Sequence, residues 1–97
     1  MKMLGLWNEP ISQFEAEQLI SNGAIMVDVR EPNEYGDGHI PGAINVPLST
    51  VEGSKELQGK SVILYCRSGM RSLDAMKKLQ KKGHKEVYNF GGKDRWV

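Results

Sequence analysis

The chain has 97 residues, 39% of them hydrophobic and 26% charged, with 13 basic and 12 acidic side chains leaving a formal net charge of +1. That length predicts one domain spanning the whole chain, with a modest core, and the composition is that of a globular protein, not of a disordered or membrane-embedded one. So even a charge balance carries no signature of nucleic acid or of a membrane surface, and neither is expected as a partner.

In the opening stretch MKMLGLWNEP, one lysine precedes a few apolar residues, and Asn8, Glu9 and Pro10 end the run far short of a signal-peptide core or a membrane span. The expectation is a soluble, cytoplasmic protein. Cys66 is the only cysteine, so no internal disulfide can form, which fits a reducing compartment. Ser12 followed three residues later by Glu15 makes a capping box, and Phe14, Leu19 and Ile20 predict an apolar face for the helix it opens. Gly23 stops that helix. Ala24 to Arg30, AIMVDVR, is a near-continuous apolar run of the kind buried on both faces of a parallel sheet.

The next stretch, EPNEYGDGHIPGAINVPLS, is rich in proline and glycine and predicts loops around a short strand near Ile44 to Val46. SVILYC, ending at Cys66, is a second buried strand. From Met70 to Lys82 the apolar Met70, Leu73, Met76 and Leu79 recur every three residues, with Lys77, Lys78, Lys81 and Lys82 toward the end and Gly83 as a cap. Cations there favour the helix dipole and are read as solvated, not as a nucleic-acid patch. Glu86 to Phe90, EVYNF, is the last strand, followed by Gly91 and Gly92. No repeat, linker or low-complexity tract interrupts the order. Alternating strands and helices predict an α/β fold, a parallel sheet with helices on both faces.

Cys66 falls at the C-terminal end of a buried strand, in a short loop that leads into a helix, and that edge is where open α/β sheets bind ligands. The helix N-terminus offers unpaired N–H groups and the positive end of a dipole. Gly69 permits a positive φ, which can turn successive N–H groups inward as a nest. With Arg67 and Arg71 adding full charges, the thiol is expected to ionise below its ordinary value of about 8.5 and to be nucleophilic. The alternative, a cysteine that merely ends a core strand, leaves the paired arginines and the glycine without a reason. One cysteine and two distant histidines give no zinc-like spacing, so no metal or organic cofactor is expected.

Three stretches, VDVREPNEYGDGHIPGAINVPL, VILYCRSGMRS and YNFGGKDRW, come in an order and at intervals that resemble the rhodanese-like domain, with the likeness running from about Pro10 to Trp96. The resemblance implies a sulfurtransferase in which Cys66 carries a sulfane sulfur as a persulfide. Arg67, Ser68, Gly69, Met70 and Arg71 become the cradle whose N–H groups face that sulfur, with Arg67 at the mouth and Arg71 on the inner wall. The implied partners are a small anionic sulfur donor such as thiosulfate and a cyanide or thiol acceptor, which could be a protein. With no histidine base adjacent, activation of the thiol would be electrostatic.

Asp28 and Arg30 are supporting residues on this reading: Asp28 is either an acceptor that orients the active loop or a structural group, and Arg30 is expected to pair with Glu34 at the strand end. His39 is expected in a structural turn fixed by Pro41 and Gly42. Phosphatases of the same fold have a loop one residue longer and a histidine before the cysteine, where this chain has Tyr65. A non-catalytic binding module is the third possibility, and such relatives commonly lack the cysteine. Family members commonly continue beyond the tryptophan with a further turn, whereas this sequence stops at Val97.

Overall fold

A computed structural model describes residues 9–97; the expectation drawn from the opening apolar run concerns residues that lie largely outside that range. Four strands, β1 (Ile25–Asp28), β2 (Ile44–Asn45), β3 (Val62–Cys66) and β4 (Val87–Gly92), form one parallel sheet in the order β2-β1-β3-β4. Three α-helices, α1 (Gln13–Ser21), α2 (Pro32–Gly36) and α3 (Met70–Lys81), and three 3-10 turns, at Leu48–Gly53, Lys55–Leu57 and Lys93–Arg95, complete the described residues. No helix among them is long and apolar enough to cross a membrane.

Strand β3 shows why the apolar runs do not alternate. Val62, Leu64 and Cys66 pack into a cluster with Ala75, Met76 and Leu79 of α3 and with Val51 and Leu57, while Ile63 and Tyr65 join Ile11, Ala16 of α1, Ile40 and Phe90 on the opposite face. Each face of the sheet is therefore buried, and every residue of β3 is inaccessible. Consecutive side chains point to opposite faces, so burial on both sides demands apolar residues at every position.

The capping box of α1 forms as read: Ser12 Oγ accepts from the Glu15 N–H at 3.0 Å and Glu15 Oε1 accepts from the Ser12 N–H at 2.9 Å. Ile11, just before the cap, and Ala16 are both buried in the same cluster, in the positions of a hydrophobic staple. The expected apolar face of α1 needs correction. Ala16 is the buried residue, Leu19 packs beside it, and Phe14 stands 69% exposed, because two residues along a helix turn the side chain roughly 160° away. Met70 is likewise 79% exposed at the start of α3, whose inward stripe is Ser72, Ala75, Met76 and Leu79.

The segment expected to be loop also contains α2. Pro32 suits a first helical turn, and Glu34 Oε1 accepts the Glu31 N–H at 2.9 Å, so a five-residue helix is closed at its start by its own side chain. Gly91 and Gly92 belong to β4 instead of following it.

Candidate active site

β3 delivers Cys66 to the carboxyl edge of the sheet, and residues 67–69 carry the chain from there into α3. Cys66 is buried, and backbone donors converge on its sulfur: the Gly69 N–H lies 3.0 Å and the Ser72 N–H 3.4 Å from Sγ. Gly69 adopts φ 98°, the left-handed conformation that turns its N–H inward. Ser72 Oγ lies 3.6 Å from Sγ and donates its own proton to the Gly69 carbonyl at 3.0 Å. The protonated thiol can thus donate to Ser72 Oγ, and once it ionises the hydroxyl can turn its proton to the thiolate.

Burial pushes the Cys66 thiol up, but the Ser72 hydroxyl and the N–H groups of Ser72, Gly69 and Ser68 outweigh it and leave the thiol below its ordinary value. Hydrogen-bond donors, more than arginine charge, do this. Arg67 and Ser68 are exposed on the outside of the loop, and Arg71 is paired: its Nη1 and Nη2 donate to Glu34 Oε1 and Oε2 at 2.7 and 3.0 Å. Arg71 in turn holds the Glu34 carboxyl down at about 2, helped by the Glu31 N–H.

The pair expected between Arg30 and Glu34 does not form. Arg30 instead binds Asp28, donating from Nε at 2.9 and 3.0 Å and from Nη2 at 2.7 Å, because a carboxylate inside the sheet needs its countercharge at hand while Glu34 points from α2 to Arg71. Asp28 also accepts from the Arg30 N–H at 2.9 Å and the Tyr65 hydroxyl at 2.8 Å. Tyr65 accepts from the Ile40 N–H at 3.0 Å, and Arg30 Nη2 reaches the Gly38 carbonyl at 2.7 Å. Burial and the nearby carboxylate push the Tyr65 phenol well above its ordinary range, so it stays a donor. Asp28 therefore reaches the cysteine only through the strand residue before it. His39 stacks on Tyr35 at 3.8 Å between ring centroids, and its Nδ1 lies 3.0 Å from the Tyr35 carbonyl, just before the turn at Pro41 and Gly42.

Sequence reasoning missed what Gly92 does for this loop. A Cβ on Gly92 would sit 2.7 Å from the Arg67 carbonyl oxygen, and one on Gly69 would sit 3.3 Å from Gly91 Cα. The loop can lie against β4 only because Gly92 has no side chain there.

A family model described as "Rhodanese-like domain" matches residues 12–97. The chain belongs to the rhodanese-like family. It is 47% identical over 76 residues, 75% of its length, to the "Uncharacterized protein YqhL" of Bacillus subtilis, and 35% identical over 89 residues, again 75% of its length, to the "Thiosulfate:glutathione sulfurtransferase" of Saccharomyces cerevisiae. It spans 60% of the length of the Bacillus protein and 64% of that of the yeast protein. Among solved structures, "rhodanese with anions from E. coli" superposes with a TM-score of 0.70 at 32% identity, covering 77% of this chain and 93% of that one. Another relative, 34% identical over 87 residues and covered over 78% of its length, is named "Sulfurtransferase" in Allochromatium vinosum.

Proposed function

We propose that the chain is a sulfurtransferase that carries a sulfane sulfur on Cys66, with Arg67, Ser68, Gly69, Met70 and Arg71 as its cradle. The supporting observation is that a fully buried thiol is held below its ordinary pKa by hydrogen-bond donors that converge on Sγ. Burial alone would make the thiol inert. Donors aimed at sulfur stabilise the thiolate, and a persulfide anion bound to it asks for the same stabilisation.

The reaction has two half-steps. The Cys66 thiolate attacks the outer sulfur of thiosulfate, the bond between the two sulfur atoms of the donor breaks, and sulfite leaves with the electron pair. An acceptor nucleophile, cyanide in an assay or a thiol in the cell, then attacks the outer sulfur of the persulfide and releases the Cys66 thiolate. Incubating the reduced protein with thiosulfate should raise its intact mass by one sulfur atom on the peptide containing Cys66, and cyanide should remove that mass as an equal amount of thiocyanate. Absence of added sulfur on the folded, reduced protein, from thiosulfate and from an organic persulfide alike, would leave a binding module as the better reading.

Ser72 extends the expected site beyond the loop. Ser72→Ala removes one donor to the thiolate, so the pH midpoint for alkylation of Cys66 by iodoacetamide should move upward, toward the value of an ordinary thiol. Linkage fixes the sign for stability as well: a thiol lowered by folding stabilises the native state fully above the unfolded pKa, and that contribution fades as pH falls through the folded one. Ser72→Ala should therefore lose stability relative to the parent on the alkaline side of that window. An unchanged alkylation midpoint would show that the N–H groups act without the hydroxyl.

A further inference from the structure

Glu34 has no part in either half-step, yet it is held against the cradle. From α2 its two carboxylate oxygens take both prongs of the Arg71 guanidinium, at 2.7 and 3.0 Å, while the Glu31 N–H donates to Oε1 at 2.9 Å and fixes the carboxylate in place. The pair is partly shielded, with the Arg71 side chain 34% and the Glu34 side chain 24% exposed. Arg71 also senses the Cys66 charge.

This fork is the one that sulfate, phosphate or thiosulfate would use, since each presents two oxygens to a guanidinium in the same way as a carboxylate. An incoming dianion must displace Glu34 or make do with the remaining donors of Arg71, and it meets the negative charge of Glu34 as it arrives. An alkyl persulfide carries at most one charge on sulfur and has no oxygens for the fork, so it pays less of each cost. The N–H groups of Gly69 and Ser72 that hold the Cys66 sulfur make no contact with Glu34.

Resting on the reading of Cys66 as the sulfur carrier, we propose that Glu34 is a specificity-determining residue: by occupying the paired donors of Arg71 it sets the cradle against tetrahedral dianions and in favour of organic persulfide donors. In that transfer the Cys66 thiolate attacks the outer sulfur of R–S–SH, the donor S–S bond breaks, and the thiolate RS⁻ leaves with the electron pair, the proton staying on the new persulfide or passing to solvent.

The test reads anion binding separately from sulfur transfer. Iodoacetamide alkylation of Cys66 is followed by intact mass while sulfate is titrated at constant ionic strength, in the parent protein and in Glu34→Gln. Sulfate should half-protect the variant at about a tenfold lower concentration, because a charge-assisted fork has been released for it. In steady state, KM for thiosulfate should fall by a similar factor with little change in kcat, and kinetics with an alkyl persulfide that bears no carboxylate should stay as they were. Glu34→Asp, which keeps the charge but draws it back, should fall between the two and decides the matter if Glu34→Gln does not fold. An equal or higher sulfate midpoint in the folded variants would overturn the proposal. Failure of the parent protein to take sulfur from either donor, with the sulfate shift intact, would sink the transfer reading and the donor preference with it while leaving the anion screen standing.

Discussion

Replacing Cys66 by serine should abolish sulfur uptake from thiosulfate, by a factor on the order of a thousand or more, while the protein remains folded. The reason lies in what surrounds the sulfur. The donors that converge on Sγ can stabilise a thiolate, whose ordinary pKa is within reach, but a serine hydroxyl needs a base to take its proton. None of the groups that donate to Sγ is a base: they are the N–H groups of Ser68, Gly69 and Ser72 and the Ser72 hydroxyl. Stability should change little, on the order of 1 kcal/mol, because the smaller oxygen can still accept from the same N–H groups at the strand end. Intact mass after thiosulfate treatment and a thermal unfolding curve on the same sample check both halves. Uptake at parental levels by folded Cys66→Ser would remove Cys66 from the chemistry.

How much of this was legible in the sequence follows from the range over which each signal acts. β3 and its cysteine were readable because a strand buried on both faces must be apolar throughout, and because Gly69 and the helix after it are local neighbours. The parallel sheet with helices on both faces followed from the same logic. Helix α2 was not readable: five residues with a proline, an asparagine and a glycine carry no periodicity, and its closing bond from Glu31 to Glu34 resembles any turn. Phe14 and Met70 were assigned inward because hydropathy reports what a side chain prefers, not which way the helix turns it.

The pairings were the least legible part. Glu34 lies 37 residues from Arg71, and Asp28 lies 37 residues from Tyr65, so no spacing rule joins them. Expecting Arg30 to meet Glu34 followed from nearness in sequence, and the fold instead gave Arg30 to Asp28, two residues away on the same strand end. Gly91 and Gly92 read as a stop after a strand, since the use of Gly92 depends on a loop that arrives from Arg67. Ser72 reads as an unremarkable helix residue until the turn at Gly69 folds its N–H and hydroxyl back onto the sulfur.

Asp28 gives the largest expected effect on stability. Its carboxylate is fully buried and takes four groups at once: the Arg30 side chain through Nε and Nη2, the Arg30 N–H and the Tyr65 hydroxyl. Asp28→Ala would leave an Arg30 guanidinium that is only 9% exposed without its countercharge, and would strip the Tyr65 hydroxyl and the Arg30 N–H of their acceptor. Breaking one side of a buried pair costs about 3–5 kcal/mol, a large share of the roughly 5–15 kcal/mol that holds a domain together. Asp28→Asn, which keeps one oxygen as acceptor, should cost less but still leave the charge unmatched. Replacing both partners, Asp28→Leu with Arg30→Met, should recover part of the loss, because removing both charges also removes the cost of burying them. Urea unfolding of the single and double variants measures this order, and sulfur uptake per folded molecule assigns the residue its place. Because Asp28 touches Tyr65 and not the sulfur, uptake by the folded fraction of Asp28→Asn should stay within a fewfold of the parent. A variant of parental stability that takes up no sulfur would instead make Asp28 a group of the active site, acting on Cys66 through the Tyr65 hydroxyl.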